Sequence, residues 1–104
     1  MYQNNQVIGR LGGDVEMRFT PQGKAVAKFS VAVDTGYGDK KETLWYKITA
    51  WEKLAEVCNE HLSKGKLVFI EGRLTQPGAW IKDEKAQSSI ELTANVVKFL
   101  SDKE

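Results

Sequence analysis

The chain has 104 residues, of which 41% are hydrophobic and 28% charged, and this composition predicts one globular domain with its own core. Its 15 basic and 14 acidic residues leave a net charge of +1, which argues against a protein that holds duplex DNA by bulk charge. No apolar run approaches the roughly 20 residues of a membrane helix, and the single cysteine, Cys58, excludes an internal disulfide. The polar, uncharged residues 1–6 argue against a signal peptide, so we expect a cytoplasmic protein without a membrane partner.

The first part of the chain predicts two strands and two turns. Residues 2–11 predict the first strand, and Gly12-Gly13-Asp14 predicts a bend beyond which residues 15–20 continue that strand. Pro21-Gln22-Gly23 predicts a turn, because proline suits the first central position. Residues 25–34 then alternate between an apolar inward face and an outward face that carries Lys28. The predicted inward side chains of that second strand are Ala25, Ala27, Phe29, Val31 and Val33.

Residues 43–51 predict a third strand whose outward face is aromatic. Its inward side chains can all face a core: Leu44, Tyr46, Ile48 and Ala50. Alternation therefore places Trp45, Lys47 and Trp51 together on the other face. Bases stack on aromatic rings and lysine neutralises phosphate, so this face has the composition of a platform for single-stranded nucleic acid. The alternative is that both tryptophans pack in a core or in an interface between subunits.

Residues 52–64 predict the one helix of the chain. Its main apolar side chains recur at helical spacing: Leu54, Val57, Cys58, His61 and Leu62. Gly65 follows as the expected C′ glycine. Cys58 and His61 could supply only half of a zinc site, since the sequence has no other cysteine or histidine, and a structural role is predicted for both. The helix also carries a carboxylate row that is typical of a solvated face rather than of catalysis: Glu52, Glu56 and Glu60.

Two further strands follow the helix. Residues 66–74 predict the fourth strand, with Arg73 on its outward side. Its inward side chains are Val68, Ile70 and Leu74. Residues 88–100 predict the fifth strand. Its inward side chains are Ile90, Leu92, Ala94 and Val96. Two polar loops, residues 35–42 and 75–87, each carry one aromatic residue.

Five strands with a helix between the third and the fourth predict an all-β fold, a five-stranded Greek-key OB-fold barrel with one α-helix. The predicted domain covers residues 1–100, and residues 101–104 form a short charged end. Tyr37 and Trp80, in the two polar loops, would lie at the edges of the open face. The glycines of residues 9–13 fit neither a Walker loop nor a dinucleotide fingerprint, and they are interpreted as barrel turns.

Three stretches of the sequence, residues 9–27, 45–56 and 62–74, resemble the bacterial single-stranded DNA-binding protein family. The resemblance extends over nearly the whole chain, from about residue 7 to residue 100. It implies an OB fold that binds single-stranded DNA with little sequence preference during DNA replication, repair and recombination. It also implies a non-catalytic protein without a cofactor or metal, which most often forms a homotetramer.

The resemblance also implies roles for individual residues. Trp45 and Trp51 are similar to the family's stacking aromatics on the third strand, and Trp80 and Tyr37 to its loop aromatics. Lys47 and Lys53 resemble positions that meet phosphate, as do Lys40 and Lys64 at weaker matches. Lys28 and Arg73, the outward cations of the second and fourth strands, are added to these residues. The predicted DNA-binding set is therefore Trp45, Trp51, Trp80, Tyr37, Lys47, Lys53, Lys28, Lys40, Lys64 and Arg73.

Two departures from the family pattern qualify what the resemblance implies. Residues 75–79 lack the basic side chains usual before the loop aromatic, so fewer phosphate contacts are expected there and stacking should carry more of the affinity. The sequence ends at Glu104 without the family's linker and acidic tip, so tail-mediated protein partners are not expected from this chain. Two alternatives remain open, an OB-fold protein-interaction module and an RNA-binding domain, because stacking does not distinguish the sugars.

Overall fold

The computed structural model describes residues 5–35, 42–75 and 89–100. The elements are β1 (Asn5–Leu11), β2 (Glu16–Phe19), β3 (Ala25–Thr35), β4 (Glu42–Trp51), α1 (Glu52–His61), β5 (Leu67–Leu74) and β6 (Ser89–Phe99). The predicted charged end, residues 101–104, lies outside the described residues. The ten residues of α1 are too few and too polar to cross a membrane, and no other helix occurs in the described ranges.

The strands close into a barrel in the order β1-β5-β6-β4-β3, and β3 pairs back to β1. The short strand β2 pairs with β3 along the same edge as β1, opposite β4. Among the described strands, β4 and β6 pair in parallel and every other pair is antiparallel. A closed barrel of five strands, with α1 between the third and the fourth of them, confirms the predicted OB fold.

The first strand bends as the sequence predicts. Leu11 at the end of β1 pairs with Val31, and Glu16 at the start of β2 pairs with Lys28 further along the same strand, β3. Both pieces run antiparallel to β3, so β2 continues the path of β1 after an interruption. The predicted turn follows β2, where the Gly23 amide donates to the Thr20 carbonyl at 2.8 Å.

The core lies inside the barrel and under the helix. Its largest fully buried side chains are Ile48, Ile70, Leu92, Val31, Val68 and Cys58. The buried residues of β3 and β4 all lie on the inward faces predicted for these strands. From α1, Cys58 enters this core, while Ala55 packs against Ala25 and Ala27 in a smaller cluster. Burial raises the pKa of the Cys58 thiol to about 11, which fits the structural role predicted for it.

The C′ role predicted for Gly65 is wrong. The helix ends at His61, and Leu62 already has extended backbone, with φ −107° and ψ 146°, which carries its side chain into the core. Gly65 lies three residues further on, at φ +90°, in a turn where the Lys66 amide donates to the Ser63 carbonyl at 3.1 Å. A left-handed residue is needed there, but for a turn rather than for the helix end.

The inward position predicted for Val96 is also wrong. Glu71 of β5 pairs with Val96, and the next residue, Gly72, pairs with Ala94, so Asn95 is an extra residue in β6. A bulge of this kind reverses the alternation, and it is Val97 that packs against the core. At the end of β5, Leu74 was predicted to face inward, but its side chain is exposed.

Candidate nucleic-acid interface

The outward face of β4 carries two exposed tryptophans. Trp45 is 39% exposed and Trp51 is 43% exposed, and the exposed Lys47 lies between them on the same face. Their inward neighbours Ile48 and Ala50 are buried. The alternation predicted for this strand is confirmed, so neither tryptophan is a residue of the barrel core.

The register of the sheet defines the neighbours of Lys47. Ser30 of β3 pairs with Lys47 on one side, and Glu91 of β6 pairs with it on the other. One step along β4, Thr49 pairs with Lys28 of β3. Directly paired residues project from the same face of a sheet. Two lysines from neighbouring strands therefore stand on the face that carries the tryptophans.

A cleft of about 560 Å³ opens on this face. The turn after β1 forms one end, and the outward residues of β3 and β4 form its floor. Trp45 is an aromatic wall, and Lys28 and Lys47 supply positive charge. Glu16 and Glu91 also line the cleft. The volume lies within the range of ligand pockets, roughly 300–1,000 Å³.

Trp45 is held over the turn after β1. The Gly12 amide donates to the Ser30 carbonyl at 3.0 Å, which fixes the turn against β3. A Cβ atom added to Gly12 would overlap the Trp45 ring and would lie 2.8 Å from its Cη2 atom. The indole therefore packs directly on the Gly12 backbone, and this packing requires a residue without a side chain at position 12.

We expect the substitution Gly12→Ala to displace the Trp45 ring without unfolding the barrel, because the ring is partly exposed and can move away. Tryptophan fluorescence and near-UV circular dichroism would change, while the thermal midpoint would change little. Gly13→Ala is the matched control, since an added Cβ at Gly13 has no atom within 4 Å. Identical spectra for the two variants would contradict the packing of Trp45 on Gly12.

Trp51 lies where β4 passes into α1. It is the N-cap residue, with φ −118° and ψ 148°, and Glu52 after it has a left-handed φ of 56° that turns the chain into the helix. A second depression lies beside Trp51, lined in part by the turn before β3. There Lys24 Nζ lies 4.0 Å from Glu52 Oε2, a pair that is largely exposed and therefore contributes little stability. Lys24 is a cation beside Trp51 that the sequence pattern did not single out.

The other predicted site residues are distributed more widely. Arg73 is exposed and lies on β5, two strands from β4. It pairs with Thr93 of β6, which pairs with Thr49 of β4, and Thr49 pairs with Lys28 of β3. Arg73 and Lys28 therefore lie in one row across the sheet. Lys53 is exposed, in the first turn of α1. Neither Arg73 nor Lys53 lines the cleft.

Lys64, also in the predicted set, lies next to the turn after β1. Its side chain is exposed, and its backbone amide donates to Asp14 Oδ1 at 3.0 Å, which ties that turn to the segment before β5. Lys64 does not line the cleft. Three predicted residues lie outside the described ranges: Tyr37, Lys40 and Trp80.

Comparison with known proteins agrees with this geometry. The sequence profile of the "Single-strand binding protein family" matches residues 2–100. The chain is 39% identical over 99 residues to a single-stranded DNA-binding protein of Neisseria meningitidis serogroup A, covering 90% of this chain and 57% of that protein. It is 43% identical over 79 residues to single-stranded DNA-binding protein 1 of Chlorobaculum tepidum, covering 71% of this chain and 48% of that protein.

The chain thus spans about half the length of the curated relatives that it matches. The matched part contains the whole described barrel and the outward face of β4. On the extent of the profile match and the identity to these relatives, the chain belongs to the single-strand binding protein family.

Proposed function

We propose that this protein binds single-stranded DNA without strong sequence preference and catalyses no reaction. The observation that carries the proposal is the outward face of β4, where two exposed tryptophans flank a lysine. Both relatives described above are named as single-stranded DNA-binding proteins. In the setting implied by the family, the protein protects exposed strands during DNA replication, repair and recombination in the cytoplasm, without a cofactor.

Stacking supplies most of the affinity. Each base that stacks on an aromatic ring is worth about 1–3 kcal/mol, and every base offers a π-face, so stacking tolerates any sequence. Trp45 is already held against the Gly12 backbone, so less conformational freedom is lost when a base binds. Trp51 presents a second ring six residues further along the chain. We propose that Trp80 and Tyr37 extend this set.

The lysines supply the electrostatic part. Lys28 and Lys47 line the cleft, and we propose that both neutralise phosphates of the bound strand. Arg73 and Lys53 lie on the surface beyond it, where they can meet the strand as it leaves. Lys40 and Lys64 complete the proposed set of phosphate-binding residues.

The same chain is proposed to assemble as a homotetramer. Support comes from a second face, formed by the outward residues of β1 and β5. Ile8 is 55% exposed and pairs directly with Phe69, so the two form an apolar surface away from the tryptophans. A second copy could cover this surface and leave the cleft open. Light scattering gives the mass in solution and thereby tests the assembly.

Fluorescence titration tests the binding. Oligo-dT, oligo-U and duplex DNA of equal length are added to the protein at two salt concentrations. We expect strong quenching by oligo-dT, since a stacked base quenches indole emission. Binding should be weaker at the higher salt, because each counterion that binding releases gains less entropy in a more concentrated bath. Duplex DNA should bind weakly, because its bases are already stacked on one another.

The other results of the same titration are informative. Quenching by oligo-U equal to that by oligo-dT would favour an RNA-binding OB domain. Absence of quenching by every single strand would overturn the proposal and favour a protein-interaction module whose tryptophans contact another protein.

A further inference from the structure

A row of cations on β3 runs beside the tryptophans of β4. Lys28 of β3 pairs with Thr49 of β4, and Val26, two residues earlier in β3, pairs with Trp51. Two residues earlier again is Lys24, which lines the second depression together with Trp51. A single strand of DNA carries its bases on one side and its phosphates on the other. It can therefore place bases over the tryptophans of β4 while its phosphates follow the lysines of β3.

The hairpin between β2 and β3 holds the backbone of Lys24 in place. The Lys24 amide donates to Thr20 Oγ1 at 3.1 Å, and the Lys24 carbonyl accepts from the Thr20 amide at 2.9 Å. Its side chain, by contrast, is 60% exposed. Four residues of extended chain, roughly 13 Å, separate Lys24 from Lys28. One bound strand can therefore meet Lys28 at the cleft and Lys24 beside Trp51.

Glu52 occupies this lysine in the free protein. Glu52 Oε2 lies 4.0 Å from Lys24 Nζ, and both side chains line the second depression. The φ of Glu52 is 56°, a left-handed conformation that favours glycine, so a carboxylate stands here although the backbone disfavours it. The pair is largely exposed and therefore weak, so a bound strand can separate it. A carboxylate that stayed beside a phosphate would repel it, so the Glu52 side chain must move away when the strand binds.

We propose that Lys24 binds a phosphate of the nucleotide whose base stacks on Trp51, and that Glu52 competes with this phosphate for Lys24 and thereby limits the affinity. The proposal rests on the binding of single-stranded DNA proposed above, and it adds one phosphate contact and an internal competitor to that site. The strand displaces Glu52 as it binds, and Glu52 pairs with Lys24 again when the strand leaves.

A double-mutant cycle of Glu52→Gln and Lys24→Gln tests the proposal. Fluorescence titration with oligo-dT over a range of salt concentrations gives the affinity of the unaltered protein, both single variants and the double variant. Glu52→Gln should bind about two- to fivefold more tightly, the range of an exposed ion pair. Adding Lys24→Gln to that variant should weaken binding about fivefold at about 0.1 M salt and make the slope of log affinity against log salt shallower by about 0.7, the values for one phosphate of a single strand.

Glu56→Gln is the matched control. It removes the same charge from an exposed position one turn further along α1, outside the second depression, so it measures the general gain from lower negative charge. In the Lys24→Gln background, Glu52→Gln should raise the affinity no more than this control does. All three positions are exposed, so the variants should remain folded, which circular dichroism checks.

Three results would contradict these expectations. A gain from Glu52→Gln that equals the gain from Glu56→Gln, or that persists in full when Lys24 is replaced, would overturn the competition. An unchanged affinity and salt slope when Lys24→Gln is added to Glu52→Gln would overturn the phosphate contact. Absence of binding of oligo-dT by the unaltered protein would instead overturn the proposed function.

Discussion

Replacing Trp51 with alanine is expected to weaken binding of oligo-dT by about 1–3 kcal/mol, or roughly five- to 150-fold in Kd, and to leave the barrel folded. The loss follows from removal of one stacking surface. The fold should persist because the ring is 43% exposed and belongs to neither buried cluster. Fluorescence anisotropy of labelled oligo-dT gives the affinity, and thermal unfolding followed by circular dichroism gives the stability.

Phe19→Ala is the control for this substitution. Phe19 is also an exposed aromatic, at the end of β2, but it does not line either depression beside the tryptophans. Its removal should change the affinity for oligo-dT very little. An unfolded Trp51→Ala protein would contradict the prediction, because it would show that this residue is needed at the junction of β4 and α1 rather than for binding.

The substitution Ile48→Ala should have the largest effect on stability, lowering the free energy of unfolding by about 2–5 kcal/mol. Ile48 lies on the inward side of the strand that carries the tryptophans, and it is among the largest fully buried side chains. Alanine would remove apolar contacts and leave a cavity that a closed barrel cannot readily fill. Urea denaturation gives the free energy of unfolding. An unchanged m-value would show that the lost stability does not come from a change in the unfolded state.

Thr49→Ala, one residue along β4 on the outward face, is the companion measurement. Thr49 is only partly buried and borders the cleft rather than the core. A loss of less than about 1 kcal/mol is expected for it. Similar losses for the two neighbours would contradict the assignment of the two faces of β4.

The sequence alone predicted the barrel and the faces of β4 because the relevant patterns are local. In residues 43–51 every second side chain can face a core, without interruption, and period-two alternation is a direct consequence of strand geometry. The helix was recognised for the same reason, from apolar spacing. The helix was predicted to continue to residue 64, but it ends at His61. The prediction is too long because the apolar spacing continues through Leu62, where the backbone has already left the helix.

Features that depend on pairing between distant strands could not be predicted in this way. The bulge at Asn95 reverses the faces of β6, and because Val96 and Val97 are adjacent valines, alternation alone does not decide which of them faces the core. The contact between Gly12 and the Trp45 ring was not predicted either, because in the sequence Gly12 is only a turn residue. Each of these features exists only once the register of the sheet is known.

Closure of the barrel has a consequence for how the chain folds. β1 can pair with β3 early, but the pair that joins β1 to β5 brings Val7 against Ile70, so two distant parts of the chain must meet before the first strand gains this second partner. Proteins dominated by such non-local pairs fold slowly, because chain entropy is lost before the contacts that compensate for it are made. Local pieces such as the turn at Thr20–Gly23 and α1 can form early. The encounter of the first strand with the fifth is then a late event, and until it occurs β1 has an unpaired edge that is open to another chain.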